Sequence, residues 1–257
     1  MLHTPRAFLG IPILKRLIPS LLRRYARLTK HRYCVEQRLG VPMLLDQRNL
    51  IDKNLLVRGV WESAQLDYLG QGADALCRGA GKPAVFLDIG AHWGLYAILM
   101  RRTGLFQRIL AFEPEPTNFA QLQGNLFVND AVHAIEAYQY AVSDRDGEVL
   151  VEAGPDFNRG RTLVSLKASG EPSEQQGIPC RRLDGLLALQ DACLVAKIDV
   201  EGHELEVLQG MAELLANNRC LLQIEAFGDH AGKAAALLGE RYRHLKQIGD
   251  DHYFGNF

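Results

Sequence analysis

The sequence predicts an α/β protein: a doubly wound, mostly parallel sheet with helices on both faces, preceded by an N-terminal helical extension. Three observations carry that expectation. From Ala84 to Met100 an apolar, strand-forming run breaks at Asp88, passes Gly90 and Gly94, and resumes with helical spacing at Leu95, Ile98 and Leu99. A second apolar run, Ile109 to Phe112, ends in Glu113 and leads into a helix pattern from Thr117 to Val128, with Pro116 well placed at its start. The rhythm returns at Leu194 to Val200, and such alternation argues for parallel strands joined by covering helices.

The turn after the first of these strands has the form Asp-x-Gly-x-x-x-Gly, Asp88 to Gly94. Glycine behind a buried strand lets backbone approach a ligand, and the next helix presents free N–H groups. The spacing of a dinucleotide site is absent, because Ala91, His92 and Trp93 separate Gly90 from Gly94, so pyrophosphate has a poor cradle. Asp88 at the strand end suits a ligand bringing positive charge and an amine, as S-adenosylmethionine does. Glu113, at the tip of the next strand, stands where a ribose diol is hydrogen-bonded in such folds. Together they favour an adenosyl ligand without phosphates. For the turn alone, an unliganded doubly wound protein is the alternative.

At 257 residues the chain suits one α/β domain with additions. Its 47% hydrophobic and 23% charged residues are ordinary for a soluble protein. The net charge of −1 hides an asymmetry: residues 1–40 carry nine Lys or Arg against Glu36 alone, a local +8, so the remainder is acidic. That acidity, without an aromatic platform, disfavours a nucleic-acid partner. Cys34, Cys77, Cys180, Cys193 and Cys220 are odd in number and never spaced Cys-x-x-Cys, which reads as reduced thiols in a cytoplasmic protein. No apolar run reaches the roughly 18 residues of a membrane span, and no signal peptide is expected.

Residues 1–40 form a basic extension. Within it, residues 8–28 pattern as an amphipathic helix interrupted at Pro19, suited to peripheral contact with an anionic inner membrane surface or to packing on protein, including a second copy of the chain. Residues 41–80 are expected to supply two short strands around Asp46 to Asn49, over Val41 to Leu56, and a helix over Val57 to Leu76 leading into a core domain over 81–257. In that domain a third strand is expected at Ala134 to Val142, and an insertion over 147–180, with strands at Glu148 to Glu152 and Thr162 to Lys167, reads as a flap over the substrate or a plain surface hairpin. A helix from His203 to Ala216, a strand from Cys220 to Ala226, a helix from Ala231 to Leu238 and a closing hairpin around Gly249 complete the order.

A second chemical stretch runs from Lys197 to Glu204. It puts Asp199 at a strand end, Glu201 and His203 in the turn, and Glu204 in the first turn of a helix, where it acts as a cap. In a doubly wound sheet this strand lies beside that of Asp88, at the switch point where ligands bind. His92 and His203 are then expected in one cleft, with Glu225 on the same edge.

These segments resemble the FkbM-type S-adenosylmethionine-dependent methyltransferases: Leu87 to Gly94, Phe112 to Asn118 with Asn125, Ala141 to Asp144 with Gly147, Lys197 to Glu204 followed by Val207 to Gly210, and Ile224-Glu225. The likeness covers roughly residues 57–227 and is specific as an ordered set rather than piece by piece. It implies a class I methyltransferase fold, Rossmann-like with a seven-stranded sheet, and O-methylation of a hydroxyl on a sugar, glycan or glycolipid intermediate. Tailoring of a small natural product, such as a polyketide or a glycosylated antibiotic, is the alternative. Asp88, Gly90, Ala91 and Gly94 would line the methionine part of the cofactor, Glu113 would hold the ribose, Pro114 and the Val142-Ser143 segment would flank the adenine, and Asp199 would sit nearest the methyl group.

An alcohol acceptor needs its proton removed as the new bond forms, which makes His203, His92, Asp199 and Glu201 the candidate bases. A divalent metal on Asp199, Glu201, His203 and Glu225 is a further alternative that no diagnostic spacing supports.

Overall fold

The computed structural model describes residues 32–152, 154, 158, 159, 163–166 and 177–257. The expected amphipathic helix over 8–28, and with it the membrane or dimer contact, lies outside these residues, as do parts of the flap. Among the described residues no helix is long and apolar enough to cross a membrane, and all five cysteines are free thiols.

Contacts divide the chain into two compact units, Met1–Trp61 with Asp156–Asn158, and Glu62–Pro155 with Arg159–Phe257. In the first, β1 (Tyr33–Arg38) and β2 (Val41–Asp46) form an antiparallel hairpin, and α1 spans Leu50–Arg58. The hairpin therefore starts earlier than expected, and the expected second strand is a helix. Asn49 explains this: its side chain accepts from the Ile51 and Asp52 N–H groups and caps α1, while the Asp52 carboxylate accepts the Asp46 N–H at 2.6 Å.

The second unit contains α2 (Ser63–Cys77), β3 (Ala84–Ile89), α3 (Leu95–Arg102), β4 (Arg108–Phe112), α4 (Pro116–Val128) and β5 (Glu136–Tyr138). There follow β6 (Ala141–Val142), β7 (Gly147–Glu152), β8 (Leu163–Leu166), β9 (Ile178–Arg181) and the short α5 (Leu183–Leu186). The chain closes with β10 (Cys193–Ile198), α6 (Glu204–Gly210), α7 (Ala212–Asn217), β11 (Arg219–Glu225), α8 (His230–Leu238), β12 (Arg243–Ile248) and β13 (Asp251–Gly255).

Seven strands form the central sheet in the order β12-β13-β11-β10-β3-β4-β5. All its pairings are parallel except those of β13, which runs antiparallel to β11 and β12. This is the doubly wound class I methyltransferase topology, with the order reversing between β3 and β10. β3 and β10 are buried at every position, as strands covered on both faces must be. Val85, Leu87, Leu194, Ala196, Leu222 and Ile224 point to one face and pack in a single cluster with Val207, Leu208 and Leu214 of α6 and α7 and Ala234 and Leu238 of α8. On the other face α2 lies close against β11, where a Cβ on Gly72 would meet Leu221 Cδ2 at 2.6 Å.

Two expected elements are divided. The third strand becomes β5, in the central sheet, and β6, which joins a separate sheet of order β6-β9-β7-β8 around Ala141, Val149 and Cys180. The helix expected from His203 to Ala216 becomes α6 and α7, broken at Met211 with φ −123°. The C-terminal end of α6 presses on the chain after β6, where a Cβ on Gly210 would stand 1.9 Å from the Ser143 carbonyl oxygen.

Candidate active site at the carboxyl edge of the sheet

The glycine turn consumes its own backbone donors. The Gly90 and Ala91 N–H groups both donate to the Phe112 carbonyl at 3.0 and 2.9 Å, Gly94 N–H donates to Ala91 O, and His92 N–H donates to Glu113 Oε2 at 2.8 Å. A phosphate cradle needs those donors free, so the geometry agrees with the missing dinucleotide spacing. The two glycines answer first to packing. Both have positive φ, and a Cβ would stand 1.7 Å from the Asp199 carbonyl oxygen at Gly90 and 2.3 Å from Leu122 Cδ1 at Gly94. Ala91 is buried behind them.

Asp88, 1% exposed, accepts at Oδ2 from the Ala97 N–H in the first turn of α3 at 2.9 Å, while its Oδ1 is buried without a partner among the described residues. Burial pushes its carboxyl up to about 6, against the opposing pull of Lys197. Glu113 is likewise buried; it accepts the His92 and Glu115 N–H groups and is raised by that burial to about 7. Pro114 follows it, half-buried, in the loop to α4. Asn118 of α4 lies beside Glu113 with a buried Oδ1 that also lacks a partner among the described residues. Both carboxylates, and these orphan oxygens, fit a ligand that offers hydroxyl and ammonium donors.

A row of polar side chains crosses the same edge, set by strand register: Asp88 pairs with Lys197, Lys197 with Gln223, and Gln223 with Tyr253. Lys197 is the centre of it. Its ammonium lies 2.8 Å from Asp199 Oδ2 and 4.8 Å from the centre of the Tyr96 ring. Burial disfavours that charge, but Asp199, Asp88 and Glu62 together outweigh burial and hold the lysine protonated. Tyr96 donates to Glu62 at 2.7 Å, and Gln223 donates to Tyr96 and to Asp251. Asp199 would be raised by burial, yet Lys197 brings it below its ordinary range, while Glu225 is raised by burial and by its hydrogen bond to Asp199.

His92 takes a positive φ of 49° in the glycine turn; its Nε2 is buried without a partner among the described residues. Burial, and then the nearby Arg159, lower it to about 3, so the imidazole is neutral near pH 7. His92 and Asp199 are near enough to influence one another. His203 is held by its neighbours: its Nε2 is 3.0 Å from Ser143 Oγ and its Nδ1 lies 3.6 Å from Glu206, the chain after β6 being drawn against α6. Glu201 occupies the turn at φ 51°, and Glu204, expected to cap the helix, instead accepts the Gly202 N–H, which lies ahead of the His203 N-cap. Asp199, Glu201, His203 and Glu225 do not converge as a metal cage; no three His, Cys, Asp or Glu residues do so among the described residues, and the ion facing Asp199 is the Lys197 ammonium. Lys197, Tyr96 and Glu62 escaped the sequence argument. The one signal was a lysine inside an otherwise apolar strand.

The Methyltransferase FkbM domain family matches residues 88–251. Methyltransferase sdnD of Sordaria araneosa is 30% identical over 156 residues, 49% of this chain and 60% of that protein. Hexuronic acid methyltransferase AglP of Haloferax volcanii is 30% identical over 145 residues, 55% of this chain and 56% of that protein. The chain thus spans little more than half the length of these relatives. A crystal structure of methyltransferase FkbM from Methylobacillus flagellatus KT superposes with a TM-score of 0.46 at 14% identity, covering 96% of this chain and 60% of that one. With the family match spanning most of the sheet and both chemical stretches, the chain belongs to the FkbM methyltransferase family.

Proposed function

We propose that this protein is an S-adenosylmethionine-dependent O-methyltransferase acting on a hydroxyl of a sugar, glycan or glycolipid intermediate. The observation that carries the cofactor is the glycine turn: its N–H groups are spent within the protein, while Asp88 keeps a buried carboxylate oxygen without a partner among the described residues. An ammonium group satisfies such an oxygen and a phosphate does not. Asp88, Gly90, Ala91 and Gly94 would hold the methionine part, Glu113 the ribose, and Pro114 and Ser143 the adenine. The sugar acceptor is supported by the relative named as a hexuronic acid methyltransferase.

The bound cofactor supplies an electrophilic methyl group. What the chain adds is alignment and a proton acceptor. As the acceptor oxygen bonds to carbon it becomes oxonium-like and strongly acidic, so a carboxylate suffices as base. Asp199 is that base, kept anionic by Lys197 at 2.8 Å. His92, neutral near pH 7, lines the same approach, and its depressed pKa makes it the weaker proton acceptor.

The test is calorimetric titration with S-adenosylmethionine and NAD, followed by transfer of a radiolabelled methyl group to a panel of glycosides. Micromolar binding of S-adenosylmethionine, none of NAD, and a labelled product that survives mild alkali, as an ether does and an ester does not, are expected. Preference for NAD, or label released by alkali, would overturn the reading.

A further inference from the structure

Glu225 stands outside the chemistry described so far, and its setting is unusual. In the parallel pairing of β10 with β11, Ile198 faces Ile224, so Asp199 and Glu225 leave adjacent strands side by side at the carboxyl edge. Their carboxyl groups are close enough for each to shift the titration of the other, lowering Asp199 and raising Glu225. Two carboxyl groups in such contact share one proton, so one accepts and the other donates. Lys197 settles which: its ammonium lies on Asp199, leaving the proton on Glu225.

The groups behind the pair are engaged. Asp251, opposite Glu225 on β13, accepts from Gln223 Nε2 at 2.8 Å and from Gln65 Nε2 at 3.2 Å. The pair itself is open, with 29% of the Asp199 side chain exposed and Glu225 half-buried. Two further observations point to a ligand there. Gln223, on the same face two residues before Glu225 and 0% exposed, has an Oε1 with no partner among the described residues. Phe227, two residues after Glu225 in the loop that follows β11, is 49% exposed, a large apolar ring left in solvent.

We propose that Asp199 and Glu225 together form the acceptor subsite and select a vicinal diol on a sugar ring. One hydroxyl gives its proton to Asp199 as its oxygen takes the methyl group from the cofactor sulfonium, whose methyl C–S bond breaks to leave a neutral thioether; its neighbour accepts from the protonated Glu225, so the diol replaces one hydrogen bond between the carboxyls with two to the ligand. The Phe227 ring supplies the apolar surface that the C–H face of a pyranose covers. Glu225 is thus a specificity-determining residue, an inference that rests on the methyltransferase reading above.

The experiment compares kcat/KM for methyl transfer to a pyranoside with a vicinal diol and to its monodeoxy analogue, in the wild type, Glu225→Leu, Glu225→Gln and Phe227→Ala. The wild type should prefer the diol by about tenfold or more, since a site built to hydrogen-bond a substrate hydroxyl rejects the analogue lacking it. Glu225→Leu should bring the ratio to about one, Glu225→Gln should retain most of it because the amide still donates, and Phe227→Ala should raise KM for both sugars alike. Should Glu225→Leu fail to fold, the wild-type ratio and its retention in Glu225→Gln still decide the matter. Equal rates on diol and deoxy sugar in the wild type, or an unchanged ratio in Glu225→Leu, overturn this inference while leaving the methyltransferase reading intact. Absence of S-adenosylmethionine binding in the wild type removes both.

Discussion

The two faces of the central sheet come from the same strands and differ in kind. On one, Leu87, Ala196, Leu222 and their neighbours meet α6, α7 and α8 in a continuous apolar cluster. On the other, Asp88, Lys197, Gln223 and Tyr253 lie in one row, all nearly inaccessible to solvent. Burying a leucine stabilises by about 1.5–3 kcal/mol, whereas desolvating an ion costs several kcal/mol before its partners offset it. The first face supplies folding free energy. The second retains buried charge, and the excess polarity marks the site.

That division predicts separable mutants. Leu222→Ala should produce the largest effect, a loss of about 2–5 kcal/mol of stability by chemical denaturation, with S-adenosylmethionine affinity unchanged for the molecules still folded. Comparable loss of affinity would mean the faces are not independent. Asp88→Asn keeps an acceptor for the Ala97 N–H and removes the charge. It should weaken S-adenosylmethionine by about tenfold or more while shifting stability far less than Leu222→Ala. Unchanged affinity would return Asp88 to a purely structural role as a cap on α3.

The apolar face was also the more legible in the sequence. Ala84 to Ile89 and Cys193 to Ile198 announce themselves as buried parallel strands because both faces are covered and the apolar run is nearly unbroken. β9 does not, since Ile178–Arg181 contains Pro179 and ends in a charge, and its partners β6 and β7 lie over 25 residues away in sequence. α1 is hidden by its apolar flanks, although Asn49 carries the cap signature. In the site, Asp88, Glu113 and Asp199 are recognisable from their places at strand ends. Lys197 stands out as an oddity, but its role depends on Asp88 and Glu62, more than 100 residues before it, and on a register that no local pattern reveals.

A smaller effect should follow pH. Asp88 near 6 and Glu113 near 7 are both raised above ordinary carboxyl values, so the native state holds protons that the unfolded chain has released. Their contribution is most favourable below about pH 4 and is lost as pH rises through 6 and 7. A ligand bearing an ammonium and hydroxyl donors prefers both groups ionised. S-Adenosylmethionine affinity should therefore rise at least several-fold between pH 5.5 and 8, with proton release visible as a dependence of calorimetric enthalpy on the buffer. Flat affinity over that range would mean that neither carboxylate meets the cofactor.

The smallest effect belongs to His203. Its ring is engaged by Ser143 Oγ at 3.0 Å, on the side of the site assigned to adenine, while the proton acceptor is assigned to Asp199. His203→Gln keeps a hydrogen-bonding group in place and should change kcat by no more than about threefold, with any larger change appearing in cofactor affinity. A fall in kcat of about a hundredfold with cofactor affinity retained would make His203 the base. The chain after β6 would then have to release the imidazole during turnover, since Ser143 holds it now.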